Sequence, residues 1–331
     1  MKRLQWILCG LMMALLSPAF AQQQALITIN PNLYTAGQNI SNVNPGAQLL
    51  SFSTVPNPDP NNPGTRVPQY LPVYAQPVAT SCTFEPGIPC SFGGNLVLGF
   101  SSTTVPFPSL WGDVNVAADC VAEFGALSFC ENALQFEVLR VNFTTPTDYA
   151  AAVIGYFGGD ASAIQAFEAF DSSGNSLGRC IAPILFTFPP IVGLPPDVSD
   201  PPGCATAVQA GTQSGWGLLA ITRPSPDIGF VLIGGYTIER PAAQVLFHSP
   251  VSVQLAGLLA AVQGVGPGKS LANVVTQAQA DYAAGDILTT CSLLASLVGE
   301  VNSQNGKQIA HLTALQVLST TTAIQTGIGC H

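Results

Sequence analysis

Charge is what this chain has least of. Only 8% of its 331 residues are Asp, Glu, Lys or Arg, against about 25% in an ordinary soluble domain. Lys and Arg number 9 and Asp and Glu 18, for a formal net charge of −9. Lys2 and Arg3 open the chain. The other basic residues, Arg66, Arg140, Arg179, Arg223, Arg240, Lys269 and Lys307, are dispersed. A nucleic-acid-binding face needs clustered cations to displace phosphate counterions, so nucleic acid is not an expected partner. Histidine is almost absent, at His248, His311 and His331. A zinc site built from several histidines is therefore unsupported. A Ser-His-Asp hydrolase would have to rest on His248, and no G-x-S-x-G elbow presents a serine to it. His248 reads instead as an ordinary residue at a domain junction. No apolar run reaches the roughly 20 residues that a spanning helix needs.

What is present first is an export pattern. Met1-Lys2-Arg3 is a basic start, Leu4 to Leu16 is apolar apart from Gln5, and Ser17-Pro18 breaks the run. Ala19-Phe20-Ala21 is a small-x-small cleavage site. This order predicts a signal peptide over residues 1–21 and a product secreted to the extracellular space or the periplasm. Cys9 falls inside the leader, preceded by Leu8 where a lipoprotein signal wants a small residue. The other eight cysteines fall into local pairs: Cys82 with Cys90, Cys120 with Cys130, Cys180 with Cys204, and Cys291 with Cys330. An even set behind an export signal points to an oxidising compartment and to disulfide staples.

Composition changes near residue 250. Before it, Pro, Gly, Phe and β-branched residues dominate; after it Pro267 is the last proline, and Ala, Leu and Gln take over. The expected division is a β-domain over 22–249 and a helical module over 250–331. Short apolar runs separated by turn residues predict strands at 26–29, 95–100, 134–143, 151–157, 164–170, 176–181, 217–222, 228–234 and 244–247. Residues 144–148 read as a turn. Asp171-Ser172-Ser173-Gly174-Asn175 reads as a hairpin turn, with Gly174 supplying a positive φ. The prolines between 45 and 77 predict a looping, edge-covering segment in place of a central strand. Strands this short, with no helical crossover among them, predict an antiparallel β-sandwich or jelly roll.

Beyond 250, Leu255, Leu258, Leu259 and Val262 recur at helical spacing. So do Leu271, Val274, Val275 and Ala278, then Ile287, Cys291, Leu294, Leu297 and Val298, and finally Ile309, Leu312, Leu315 and Leu318. They predict a separate four-helix bundle, with Ser270 and Asp286 as N-caps and Asn305-Gly306 as a stop before the last helix.

Three stretches carry a resemblance. Tyr34-Thr35-Ala36-Gly37-Gln38-Asn39-Ile40-Ser41-Asn42 followed by Pro45-Gly46 resembles the opening of secreted bacterial β-sandwich domains. Val141 to Pro146 with Gln165 to Gly178 is similar to their core hairpin, and Asp227 to Gly235 to their penultimate strand. Such domains resemble carbohydrate-binding modules and galactose-binding-like jelly rolls, which implies fold more firmly than ligand. Many relatives carry paired aspartates in a late strand, where this chain has Ala242-Ala243-Gln244-Val245-Leu246-Phe247. The tail, through Gly268-Lys269-Ser270-Leu271, Gly306-Lys307 and Gly329-Cys330, resembles the helical module called FIMAH of extracellular bacterial proteins. That likeness implies an accessory or attachment role.

Candidate chemistry is sparse. Gly264-Val265-Gly266-Pro267-Gly268-Lys269-Ser270 falls short of a phosphate loop, because Gln263 holds the required first-glycine position. It reads as an interhelical turn. Trp111 with Asp113 and Asn115, and Trp216 beside Gly215, are candidate ligand-binding residues, an indole face for a sugar ring with polar groups for its hydroxyls. Asp59, Asn61 and Asn62 offer hard oxygens to a structural calcium; no other cofactor is expected. Glu123, Glu131, Glu137, Asp113 and Asp160 are the carboxylates a glycosidase could draw on. The resulting expectation is a secreted, non-enzymatic protein that binds a glycan or another cell-surface component. A structural surface protein without a small ligand is the alternative, and a glycoside hydrolase the second.

Overall fold

The computed structural model describes residues 23–56, 58–61, 66–77, 96–103, 138–157, 165–182, 204–208, 214–235, 242–266 and 268–331. Thirteen strands precede four helices among them. The strands are β1 (Gln24–Ile29), β2 (Ala47–Pro56), β3 (Arg66–Pro72), β4 (Tyr74–Pro77), β5 (Leu96–Gly99), β6 (Val138–Thr147) and β7 (Tyr149–Phe157). There follow β8 (Gln165–Phe170), β9 (Ser176–Ala182), β10 (Cys204–Val208), β11 (Ser214–Thr222), β12 (Ile228–Gly235) and β13 (Ala242–Pro250). The helices are α1 (Val251–Val262), α2 (Ser270–Ala283), α3 (Ile287–Gln304) and α4 (His311–Ile328).

The strands form two antiparallel sheets. One runs β10-β11-β7-β13-β5-β4, with β1 paired to β13; the other runs β3-β2-β6-β12-β8-β9. Period-two alternation decides which side chains go inward. In the second sheet Leu139, Val141 and Phe143 of β6 and Val231 and Ile233 of β12 are buried in the main core. In the first sheet Val245 and Phe247 of β13 and Ala25, Ile27 and Ile29 of β1 join them. Phe143 and Phe247 meet across the sheets with ring centroids 5.2 Å apart. Burying such a ring is worth about 1.5–3 kcal/mol, so this pair helps to hold the two sheets together.

The hairpin turn forms as expected. Asp171 Oδ1 accepts from the Ser173 and Asn175 backbone amides at 2.8 and 2.9 Å, and Gly174 has φ 89°. The predicted turn at 144–148 is corrected, because β6 continues to Thr147. Its register against β12 shifts between Phe230↔Asn142 and Ile228↔Thr147. Pro146, which has no N–H to donate, falls within this irregularity, so strand and proline coexist. The looping segment at 45–77 is corrected too. Ala47 to Val55 is free of proline, and β2 is an interior strand between β3 and β6. The edge rule holds locally instead: Pro68 and Pro72 lie on edge strand β3, and Pro77 ends edge strand β4.

The chain switches from strand to helix at Pro250–Val251. Helices α1 to α4 pack on one another, and α4 also packs on β1. Their buried side chains belong to the same contiguous core as the sheets. Two helical glycines permit close approach. A Cβ on Gly257 would lie 2.3 Å from Pro45 Cγ, and one on Gly327 would lie 2.5 Å from the Gln24 carbonyl oxygen. Asp286 is the N-cap of α3, its carboxylate accepting from the Thr289 amide at 3.0 Å and the Thr289 hydroxyl at 2.7 Å. Ser270 is not the cap of α2. Lys269 holds that position, and the Ser270 hydroxyl donates to Glu300 of α3. In α4 the buried stripe is Ala314, Val317, Thr321, Ile324 and Ile328, whereas Leu312, Leu315 and Leu318 are only partly buried. Ile309 lies ahead of the helix and is buried. No helix among the described residues is long and apolar enough to cross a membrane.

Candidate functional site

Cys291 and Cys330 form a disulfide that closes a separation of 39 residues and ties α3 to the end of α4. Cys180 of β9 is also disulfide-bonded, and β9 packs on β10, which opens on Cys204. Cys82, Cys90, Cys120 and Cys130 lie outside the described residues. Asp59 Oδ1 accepts from both the backbone and the side-chain amide of Asn61, each at 2.9 Å, a local turn between β2 and β3. Asn62 lies outside the described residues. Among the described residues no three His, Cys, Asp or Glu side chains cluster as metal ligands would.

Trp216 lies in β11, opposite Gly155 of β7. Trp111, Asp113 and Asn115 lie outside the described residues, as do Glu123, Glu131, Glu137 and Asp160. Several described carboxylates are engaged. Glu168, only 4% exposed, pairs with Arg179 at 2.5 Å and accepts from the Ser176 hydroxyl at 2.6 Å. Asp227 holds Arg223 in a two-pronged pair at 2.8 and 3.0 Å, which keeps its carboxyl below the ordinary range. Asp148 Oδ1 meets His248 Nδ1 at 2.8 Å, beside the Tyr149 ring.

A cleft of about 180 Å³ lies where the helices meet β1. One wall comes from residues 27–45, including Thr28, Tyr34, Gln38 and Asn44. The other comes from α1 and α4, including Gln254, Gln316, Ser319 and Thr320. Local sequence sets the first wall. Pro31 begins a short 3-10 turn capped by the Asn30 side chain, and the turn ends at Tyr34. Gln38 Oε1 then accepts from the Thr35 amide at 3.1 Å. Backbone bonds from Gly37 to Ala75 and from Ile40 to Val73 pin the loop to the β4 segment.

Tertiary contacts join the walls. Asn44 and Gln254, 210 residues apart, exchange reciprocal amide bonds of 3.1 Å each way. Gln254 also donates to the Ser249 hydroxyl at 2.9 Å, and Gln316 donates to the Leu33 carbonyl at 2.6 Å. These bonds satisfy the buried amides, as low-dielectric surroundings demand.

The cleft lining contains no charged side chain. Burial pushes the Tyr34 phenol up to about 12 from an ordinary 10, so it stays a neutral donor throughout the physiological range. Its hydroxyl has no hydrogen-bond partner among the described residues. The arrangement therefore presents one aromatic ring, a free phenolic donor and neutral hydroxyls and amides. It can bind an uncharged hydroxyl- or amide-bearing group.

Tyr34 and Gln38 lie within the opening motif of the sequence, but nothing local marks them as lining a cleft. Their partners on α1 and α4 are more than 200 residues distant. No protein-family model matches the chain, and no curated protein matches it significantly.

Proposed function

We propose that this is an exported, non-enzymatic binding protein that holds a neutral sugar unit of a glycan, or of a glycan-bearing cell-surface partner, in the cleft between β1 and helices α1 and α4. The observation that carries the reading is the unpartnered Tyr34 hydroxyl in an uncharged lining. A sugar ring offers an apolar face to the tyrosine and hydroxyls to the surrounding amides. The leader pattern and the disulfides support export to an oxidising compartment. The two facing antiparallel sheets support a sandwich of the jelly-roll kind, and the four packed helices an accessory module that completes the site.

Glycan-array screening followed by calorimetry tests the reading. Tyr34→Phe removes only the hydroxyl and should weaken the selected glycan about 5- to 20-fold, as loss of one buried bond implies. Unchanged affinity would remove the cleft from the proposal. Loss of binding on Trp216→Ala or Trp111→Ala instead would move the site to the tryptophans.

A second reading, a structural surface protein without a small ligand, is favoured by the cleft's size. About 180 Å³ is below the roughly 300–1,000 Å³ of ordinary small-molecule pockets. It predicts no glycan hit, with surface retention that depends on residues 250–331.

A further inference from the structure

The outer face of the second sheet holds a cation with no counter-ion among the described residues. Arg179 and Arg223 each have a carboxylate partner. Arg140 of β6 has none among the described residues. Its Nε donates to Asn142 Oδ1 at 2.8 Å, and its Nη1 is shielded from solvent without any hydrogen-bond partner. The guanidinium carbon lies 3.8 Å from the Phe230 ring centroid and 5.8 Å from that of Tyr70. Phe230 is itself stacked on Phe170 at 4.7 Å, with the planes 8° apart.

This arrangement fixes the guanidinium in orientation, with no described carboxylate paired to it. Burial holds it below its ordinary value, and Tyr70 acts in the opposite sense. A partly buried cation with an unused donor is costly to keep. The neighbours on the same face are suited to a ligand. Asn142 lies opposite Gln48 of β2, which is exposed, and Tyr70 of β3 is 40% exposed. The cluster thus offers a planar cation, two primary amides and an accessible ring on a rigid sheet.

We propose that Arg140, Tyr70, Asn142 and Gln48 form a second binding site, one that takes a carboxylate-bearing sugar such as a uronic acid. With Nε bonded to Asn142 and Nη1 shut off from solvent, Nη2 meets the carboxylate in a single charge-assisted bond, the amides reach ring hydroxyls, and Tyr70 packs on the sugar face. With a chain net charge of −9, the attraction is local, and binding weakens as salt rises. The site is independent of the Tyr34 cleft, which selects for neutrality.

The test follows the Arg140 Nε–H resonance of the purified protein during titration with glucuronate, glucose, acetate and inorganic phosphate. The expected result is a saturable shift with glucuronate, none with glucose, and weaker responses to acetate and phosphate. Arg140→Met should lower glucuronate affinity at least about tenfold by calorimetry. Tyr70→Ala, at an exposed position, should weaken glucuronate and leave acetate unchanged. Tyr34→Phe should alter none of these responses, so failure of the cleft and failure of this site are read separately. No saturable shift with glucuronate would overturn the proposal. So would acetate or phosphate binding as tightly as glucuronate, or a Tyr70→Ala variant that binds glucuronate as the parent does.

Discussion

The β region and the helical region share one core but are held in different ways. The sheets depend on distant pairings: β1 pairs with β13, at opposite ends of the β region, and β6 lies between β2 and β12. The helices depend on neighbours in sequence, a capped start at Asp286 and a disulfide spanning 39 residues. The helical region nevertheless docks on the sheets at close range, through Gly257 against Pro45 and Gly327 against the β1 backbone. The local rules that build the helices do not specify this docking. The docking in turn creates the cleft, whose two walls come one from each region. A compositional boundary at 250 is therefore a change of building material within a continuous core.

The largest test of that comparison is Phe247→Ala. Removing a fully buried ring that touches Phe143 should cost about 3–5 kcal/mol. In urea, circular dichroism of the helices and fluorescence of the sheets should lose stability together. A helical transition left unmoved would break the shared-core picture. Next, Cys291→Ser with Cys330→Ser should cost up to about 4 kcal/mol in the chain-entropy account. Hydrogen exchange should place the loss first in α3 and α4. Gly327→Val then probes the docking alone. Crowding the Gln24 and Ala25 backbone should cost about 1–3 kcal/mol. It should also raise exchange in β1 and α4 while α2 and α3 keep their protection.

The smallest effect is on pH dependence. Hydrogen bonds from Asn175, from Arg223 and from Thr289 hold Asp171, Asp227 and Asp286, respectively, below their ordinary value of 3.8. A depressed carboxylate contributes stability above its unfolded value and loses it as pH falls through the folded one. Melting temperature should therefore be insensitive to these groups above about pH 5 and should fall below pH 4. Asp286 is exposed and Asp171 and Asp227 are only partly buried, so the change should be small. Asp227→Asn should flatten the acid limb, and an unaltered limb would remove that pair from the account.

Much of the local architecture was legible in the chain. The Asp171–Asn175 turn follows from one carboxylate gathering backbone amides around a glycine. The Asp286 cap follows from a carboxylate just ahead of an apolar helical run. A local rule misleads where its window is too wide or its packing partner lies far along the chain. The prolines from 56 to 77 obscured the proline-free strand Ala47–Val55. Pro146 suggested a turn where a register irregularity accommodates it. In α4 the leucines suggested a face, but the side that packs on β1 and the other helices is the smaller one, with Ala314, Val317 and Thr321. Helical spacing establishes that a face exists; the packing partner selects which one is used.

The candidate sites divide along the same line. By itself, the sequence determined the scarcity of charge, the antiparallel strand content and the switch to helix at 250, because composition and periodicity act within a few residues. Only the tertiary structure decided that Asn44 meets Gln254, that Tyr34 and α4 line one cleft, and that Arg140 stacks on Phe230. Those contacts join residues tens to hundreds of positions apart. They exist because sheet register and helix docking bury apolar faces together and carry the polar side chains with them.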